Sequence, residues 1–176
     1  LAEALVDTAV ALNSTLDLEE VMDRIFDNVS RVVPYEHVSL MLINNGSAQV
    51  AHGRGWEDVP LASVLNLTLP VESSPILNAM YQSQRPYTIP DVALEAQWQI
   101  HSDIPVPKSY VGAPLFVTQK LIGFLHLDSD TQIYTAAHAQ RLQAFAHQAA
   151  IAVHNAQTFR SAKELAIIEE RQRLAR

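Results

Sequence analysis

The chain has 176 residues, 48% hydrophobic and 18% charged, which is ordinary globular usage and excludes a disordered polymer. With 19 acidic against 12 basic residues the net charge is −7, so no basic face for nucleic-acid phosphates is expected. It has no cysteine, which removes disulfide frameworks, thiolate nucleophiles, Cys-ligated zinc and thioether-linked cofactors.

Residues 1–12 lack the cationic start and long apolar core of a secretory signal. No run approaches the roughly 20 apolar residues of a membrane span. A cytoplasmic chain with no direct membrane insertion is the expectation, though the parent could be tethered upstream. Because it opens on Leu1 and stops in mid-pattern at Arg176, it reads as a piece of something longer. Leu1, Leu5, Ala9 and Leu12 form one helical stripe, a linker helix over residues 1–12. Asp17 and Glu20 have capping-box spacing, and Leu18, Val21, Met22, Ile25, Phe26, Val29 and Val33 make the apolar face of a second helix that Pro34 ends.

The period then changes to two. Residues 38–43 read as a buried strand, Asn44-Asn45-Gly46-Ser47 as a hairpin turn, and residues 49–54 as the returning strand. Residues 64–70 read as a third strand, and Ser74-Pro75 opens a short helix over residues 75–82. Residues 85–108, with four prolines and Tyr87, Trp98 and His101, form a long loop of the kind that serves as a lid. Residues 109–117 and 121–128 are apolar on both faces and predict a central hairpin covered on both sides. Thr135 can cap a last helix, which meets no glycine or proline before the end and so runs about 40 residues, or roughly 60 Å. Its first half packs through Leu142, Phe145, Ala149 and Val153; beyond Phe159 it is half charged and must project.

Three segments in this order, Ser109-Tyr-Val-Gly-Ala-Pro-Leu115, Leu121-Ile-Gly-Phe-Leu-His-Leu-Asp128 and Phe145-Ala-His-Gln-Ala-Ala-Ile-Ala-Val-His-Asn-Ala156, resemble the "-PL-" strand, the "-iGvL-" strand and the "-la-q-aiAi-NA-" helix of GAF domains. Leu16-Asp-Leu-Glu-Glu-Val-Met22 and Pro90-Asp-Val92 match weaker positions. The resemblance implies an α+β, PAS/profilin-like fold. Its central antiparallel sheet of about six strands would carry the N- and C-terminal helices on one face and a loop and short-helix lid on the other. The domain would span residues 13–159, with residues 160–176 as an exit helix. The last residues, Glu169-Glu-Arg-Gln-Arg-Leu-Ala-Arg176, resemble the start of the dimerisation and phosphoacceptor helix of sensor histidine kinases. That family partners response regulators with helix-turn-helix outputs. A solvated helix end is the plainer reading of the same charges.

For chemistry, Ser73-Ser74 and Ser129 lack a Gly-x-Ser-x-Gly elbow, and Gly53-Arg-Gly55 is too short for a phosphate loop. Asp91, Glu95 and Asp103 are loop carboxylates that water would normally solvate. His147 and His154 are seven residues apart, about 10 Å along a helix and too far to share one metal, so surface histidine is the default for them and for His138. No catalytic constellation is expected in this fragment, although its parent reads as an ATP-dependent protein-histidine kinase. Haem needs one axial histidine, for which His101 and His126 are the candidates, but a hydrogen-bonded structural role is favoured for both. Covalent bilin and the free methionine sulfoxide reductase chemistry of the family need a cysteine, and the family's Asn-Lys…Phe…Asp-Glu cyclic-nucleotide pattern is missing. No cofactor is therefore expected.

What remains is a small-molecule pocket between sheet and lid, with Tyr81, Tyr87, Trp98, His101 and Tyr110 as lining and His126 on the central strand beside them. The same aromatics would equally fill a core. The resemblance implies a sensory domain that dimerises through its first and last helices and controls a kinase domain in cis. The alternatives are a ligand-free dimerising spacer, or a GAF domain regulating a cyclase, a phosphodiesterase or a transcriptional activator.

Overall fold

The computed structural model describes residues 17–175, so the helix expected over residues 1–12 lies outside the described residues. The first element, α1 (Leu18–Val29), starts where Asp17 accepts the Glu20 N–H at 2.9 Å, and it buries Val21, Met22, Ile25, Phe26 and Val29. Pro34 does not end it. The helix stops at Val29, and single turns, with Arg31 N–H on the Asn28 carbonyl and Val33 N–H on that of Val29, carry the chain to the proline.

Strands β1 (His37–Asn44) and β2 (Ser47–Arg54) meet at the Asn45-Gly46 turn, where φ is +48° and +77° as a tight hairpin requires. The third strand expected over residues 64–70 is mostly something else. Pro60 sets φ for a short helix, α2 (Leu61–Leu65), which buries Val64; only β3 (Thr68–Pro70) pairs with β2. Helix α3 (Pro75–Ser83) follows, and Gln84 ends it in the left-handed region. Inside the expected loop, β4 (Tyr87–Ile89) pairs with β5 (Ser109–Val117), and β5 pairs with β6 (Lys120–Ser129). Helix α4 (Ala136–Leu174) is 39 residues long.

All pairings are antiparallel, in the order β3-β2-β1-β6-β5-β4. Period-two alternation sorts the sheet into two cores. Val38, Leu40, Val111, Ala113, Leu125 and Leu127 face α1 and the first half of α4, where Leu142, Phe145, Ala149 and Val153 are fully buried. Met41, Val50, Tyr110 and Phe124 face the other way, under α2, α3 and the long segment after β4. Burial along α4 stops at Ala156; beyond it the helix continues as an exposed rod. Among the described residues no helix is long and apolar enough to cross a membrane.

Candidate functional site

The face of the sheet opposite α1 and α4 carries Ser39 and Met41 from β1, Tyr110 and Gly112 from β5, and His126 and Asp128 from β6. Cross-strand register sets Ser39 beside His126, His126 beside Gly112, and Asp128 between His37 and Tyr110. Gly112 is what lets Tyr110 lie flat. A Cβ there would sit 2.0 Å from the Tyr110 hydroxyl, so the phenol crosses the strand through the missing side chain and reaches His126 Nδ1 at 2.7 Å.

Above this floor is a cavity of about 120 Å³. Val64 and Leu67 wall one side, Ile76 and Leu77 of α3 another, and Trp56 closes one end. Trp56 reaches it because Gly55, at φ +91°, brings the backbone against the Glu36 carbonyl, where a Cβ would be 2.0 Å from that oxygen. Gly53 clears the way for the indole, which stacks on His37 at 4.4 Å. The Gly53-Arg54-Gly55 run is thus a tryptophan cradle.

The roof is the segment between β4 and β5, which contributes Gln97, Trp98, Gln99, His101 and Ile104. Its ends are tied down. Val92 N–H donates to the Lys108 carbonyl at 2.8 Å, Lys108 N–H to Asp130 at 3.0 Å, and Ser109 Oγ to the Ile89 carbonyl at 2.9 Å. Asp91 caps the short 3₁₀ turn Val92–Leu94 by accepting the Ala93 N–H, and Glu95 accepts that of Gln97. These loop carboxylates hold backbone. Trp98 meets Tyr110 edge-on at 5.2 Å.

Of the residues expected from sequence, Trp98, His101, Tyr110 and His126 line the cavity. Tyr81 and Tyr87 are not in its lining: Tyr81 is 41% exposed on α3, stacked on Phe116, and Tyr87 lies half-buried in β4. Sequence reasoning missed Trp56, Ser39 and Asp128. The signal for Trp56 was the Gly-x-Gly before it, and for Asp128 a carboxylate ending an otherwise apolar central strand. On α4, His147 and His154 are exposed, while His138 accepts the Thr135 N–H at 3.1 Å, the return half of a capping box.

The electrostatics are lopsided. His126 is only 9% exposed, and burial holds its pKa down to about 4, so the imidazole is neutral at pH 7. Asp128, also 9% exposed, is pushed up to about 7 by burial and by the nearby Asp130 carboxylate. Burial raises the Tyr110 phenol well above its ordinary value, with Asp128 adding to it. Among the described residues, the buried side-chain polar atoms without a protein partner are His37 Nδ1, Trp56 Nε1, His126 Nε2 and Asp128 Oδ1. All four belong to this one corner, although such atoms are rare in folded proteins and each costs about 1–3 kcal/mol. The described residues hold no group of three or more His, Cys, Asp or Glu side chains placed for a metal ion. At about 120 Å³ the cavity is below the roughly 300–1,000 Å³ of drug-sized pockets.

The family model for the GAF domain matches residues 17–153. The chain belongs to the GAF domain family. Among solved structures, the GAF domain of a phosphoenolpyruvate-protein phosphotransferase from Coxiella burnetii superposes with a TM-score of 0.73 at 15% identity, covering 91% of this chain and 96% of that one. The GAF domain of a two-component sensor histidine kinase from Bacillus halodurans gives 0.66 at 16% identity, covering 82% and 99%. A phycoerythrobilin-bound GAF domain from a cyanobacterial phytochrome gives 0.65 at 20%, covering 90% and 97%. At these identities the likeness is one of fold. No curated protein matches the chain.

Proposed function

We propose that this GAF domain is the sensory unit of a signalling protein, a cytoplasmic histidine kinase of a two-component system. A small ligand held in the cavity would bias the arrangement of α4, and α4 would pass that bias to a kinase domain following it in cis. The reading includes a homodimer formed through the first and last helices, with a response regulator as the parent's partner. GAF domains typically serve sensory or regulatory roles, and a kinase GAF domain is among the structural neighbours.

One observation carries it. The strands that floor the cavity with Tyr110, His126 and Asp128 present Val111, Leu125 and Leu127 from their other face to the core under α4, and the same unbroken helix then leaves the domain. A ligand acts on such a rod only through different affinities for its two arrangements. The exposed half of α4 carries Phe159, Leu165, Ile167, Ile168 and Leu174 without a full heptad seam, which suits a weakly specified, switchable coil.

Sedimentation of the chain and of a form ending at Phe159 tests it. Weaker dimerisation of the shortened form is the expected result, and unchanged association removes α4 as the dimer's adhesive. Native mass spectrometry of the purified protein distinguishes a sensor, which retains a small molecule, from a ligand-free spacer.

A further inference from the structure

The cavity has one ionisable carboxylate and no countercharge. Neither lysine nor arginine lines it; the remaining polar lining is Ser39, Ser74, Gln97, Gln99, the indole nitrogens, the Tyr110 hydroxyl and the imidazoles of His101 and His126. An anion placed there would meet Asp128 with nothing to offset the repulsion, and a purely apolar guest would leave the carboxylate unpaired. Asp128 Oδ1 lacks a donor, and three aromatic residues, Trp56, Trp98 and Tyr110, surround the same space. A carboxylate among aromatic rings is the arrangement that recognises a protonated amine, which donates to the oxygen and rests against the π systems.

We infer, taking the cavity as the ligand site, that its cargo is a small organic ammonium with at least one N–H and an apolar body about the size of a benzene ring. The volume sets one ring as the upper limit, since about 120 Å³ lies just under the roughly 150 Å³ that accepts benzene. A quaternary ammonium has no proton for Asp128 and would bind less well. The chain's net charge of −7 draws cations toward the domain.

The carboxylate must be ionised to hold the amine, so binding should strengthen as pH rises through about 7, where Asp128 titrates. The groups around Asp128 do not reverse this. His126 shares its strand, His37 approaches from β1, Glu36 from the residue before it, Tyr110 from β5, Asp130 and Tyr134 from the segment after β6 and His101 from the roof, and none is a fixed cation.

Both tryptophans of the chain line this cavity, so intrinsic fluorescence reads its occupancy without a label. The probes are benzylamine, benzyl alcohol and benzoate, titrated into the whole chain at pH 8 and pH 6. Benzylamine should bind at least about tenfold more tightly than benzyl alcohol at pH 8, benzoate should not bind, and the amine should weaken at pH 6. Asp128→Asn should remove the amine's advantage while leaving benzyl alcohol within about threefold, and a retained melting transition shows that the variant is folded. If benzyl alcohol or benzoate binds as well as the amine, the ammonium assignment falls and the cavity stands as a site. If no probe shifts either tryptophan, both fall together.

Discussion

Replacing Gly112 with alanine isolates the geometry on which the cavity floor depends. In a strand this exchange ordinarily gains about 0.5–1 kcal/mol, because alanine loses less backbone entropy on folding. Here the new Cβ would stand 2.0 Å from the Tyr110 hydroxyl, 2.8 Å from Cζ and 3.3 Å from Cε of Met80. Tyr110 is 3% exposed, so its ring has no room to swing away without opening the core. Overpacking of this kind costs about 1–3 kcal/mol, and breaking the buried bond to His126 leaves two polar atoms unpaired for about another 1–3. A loss of about 4 kcal/mol should lower the thermal midpoint by roughly 10 °C for a domain of this size. Circular dichroism melts of a double-mutant cycle check the cause. In a Tyr110→Leu background Gly112→Ala should cost under about 1 kcal/mol, a coupling of about 3. Additive costs, or a midpoint within about 2 °C of the parent, would refute the claim that the phenol crosses β5 through Gly112.

Two further perturbations address charge and turn chemistry. The folded pKa of Asp128 lies above its unfolded value, so its contribution to stability is present below pH 3.8 and lost as pH rises through about 7. Asp128→Asn should therefore match the parent near pH 4 and exceed it by a few kcal/mol at pH 8, measured by urea unfolding; a constant difference would show the carboxylate to be solvated. His126 runs opposite, its stabilisation lost as pH falls from 6.5 toward about 4, so the parent's own profile should be flatter than either group alone gives. Thr118 and Gln119 turn the β5–β6 hairpin at φ +47° and +65°, where a β-branched residue is strained. Thr118→Asn with Gln119→Gly should add about 1–2 kcal/mol, and an unchanged urea midpoint would remove the strain argument.

The elements with strong periodicity were legible. The central strands, the Asn45-Gly46 turn and the long helix follow from apolar spacing and from where glycine and proline sit or are missing. Residues 64–70 misled because Val64, Leu67 and Leu69 are spaced for either period, and Pro60, four residues upstream, decides for a helical turn. Strand β4 was hidden among prolines because an edge strand of three residues needs little pattern. The site was legible on the central strands and in the proline-rich roof, where Trp98 and His101 stand out by composition. Tyr110 and His126 are strand residues whose side follows from alternation, whereas Tyr81 sits on a helix whose orientation depends on tertiary packing. Trp56 was missed because its place depends on a backbone fold around Gly55, which the Gly53-Arg54-Gly55 run marks, rather than on any period.

The four unpaired polar atoms bear on why the corner is built this way. A domain selected only as a spacer would gain stability from apolar side chains at His126 and Asp128, since their strand is otherwise buried and apolar. Retaining a neutral imidazole and a carboxylate pushed up to about 7 costs folding free energy that a ligand can return. A guest that pairs with Asp128 restores the ionised form at neutral pH, a gain comparable to the roughly 1–3 kcal/mol by which coupled sites shift one another. Under the proposed function that gain would be released one sheet thickness from α4. Leu125 and Leu127 alternate with His126 along one strand, and their side chains pack in the core that holds Leu142 and Phe145. A shift of β6 toward a ligand on one face is therefore a shift away from the helix on the other, and a close-packed core answers such a shift by repacking rather than by stretching.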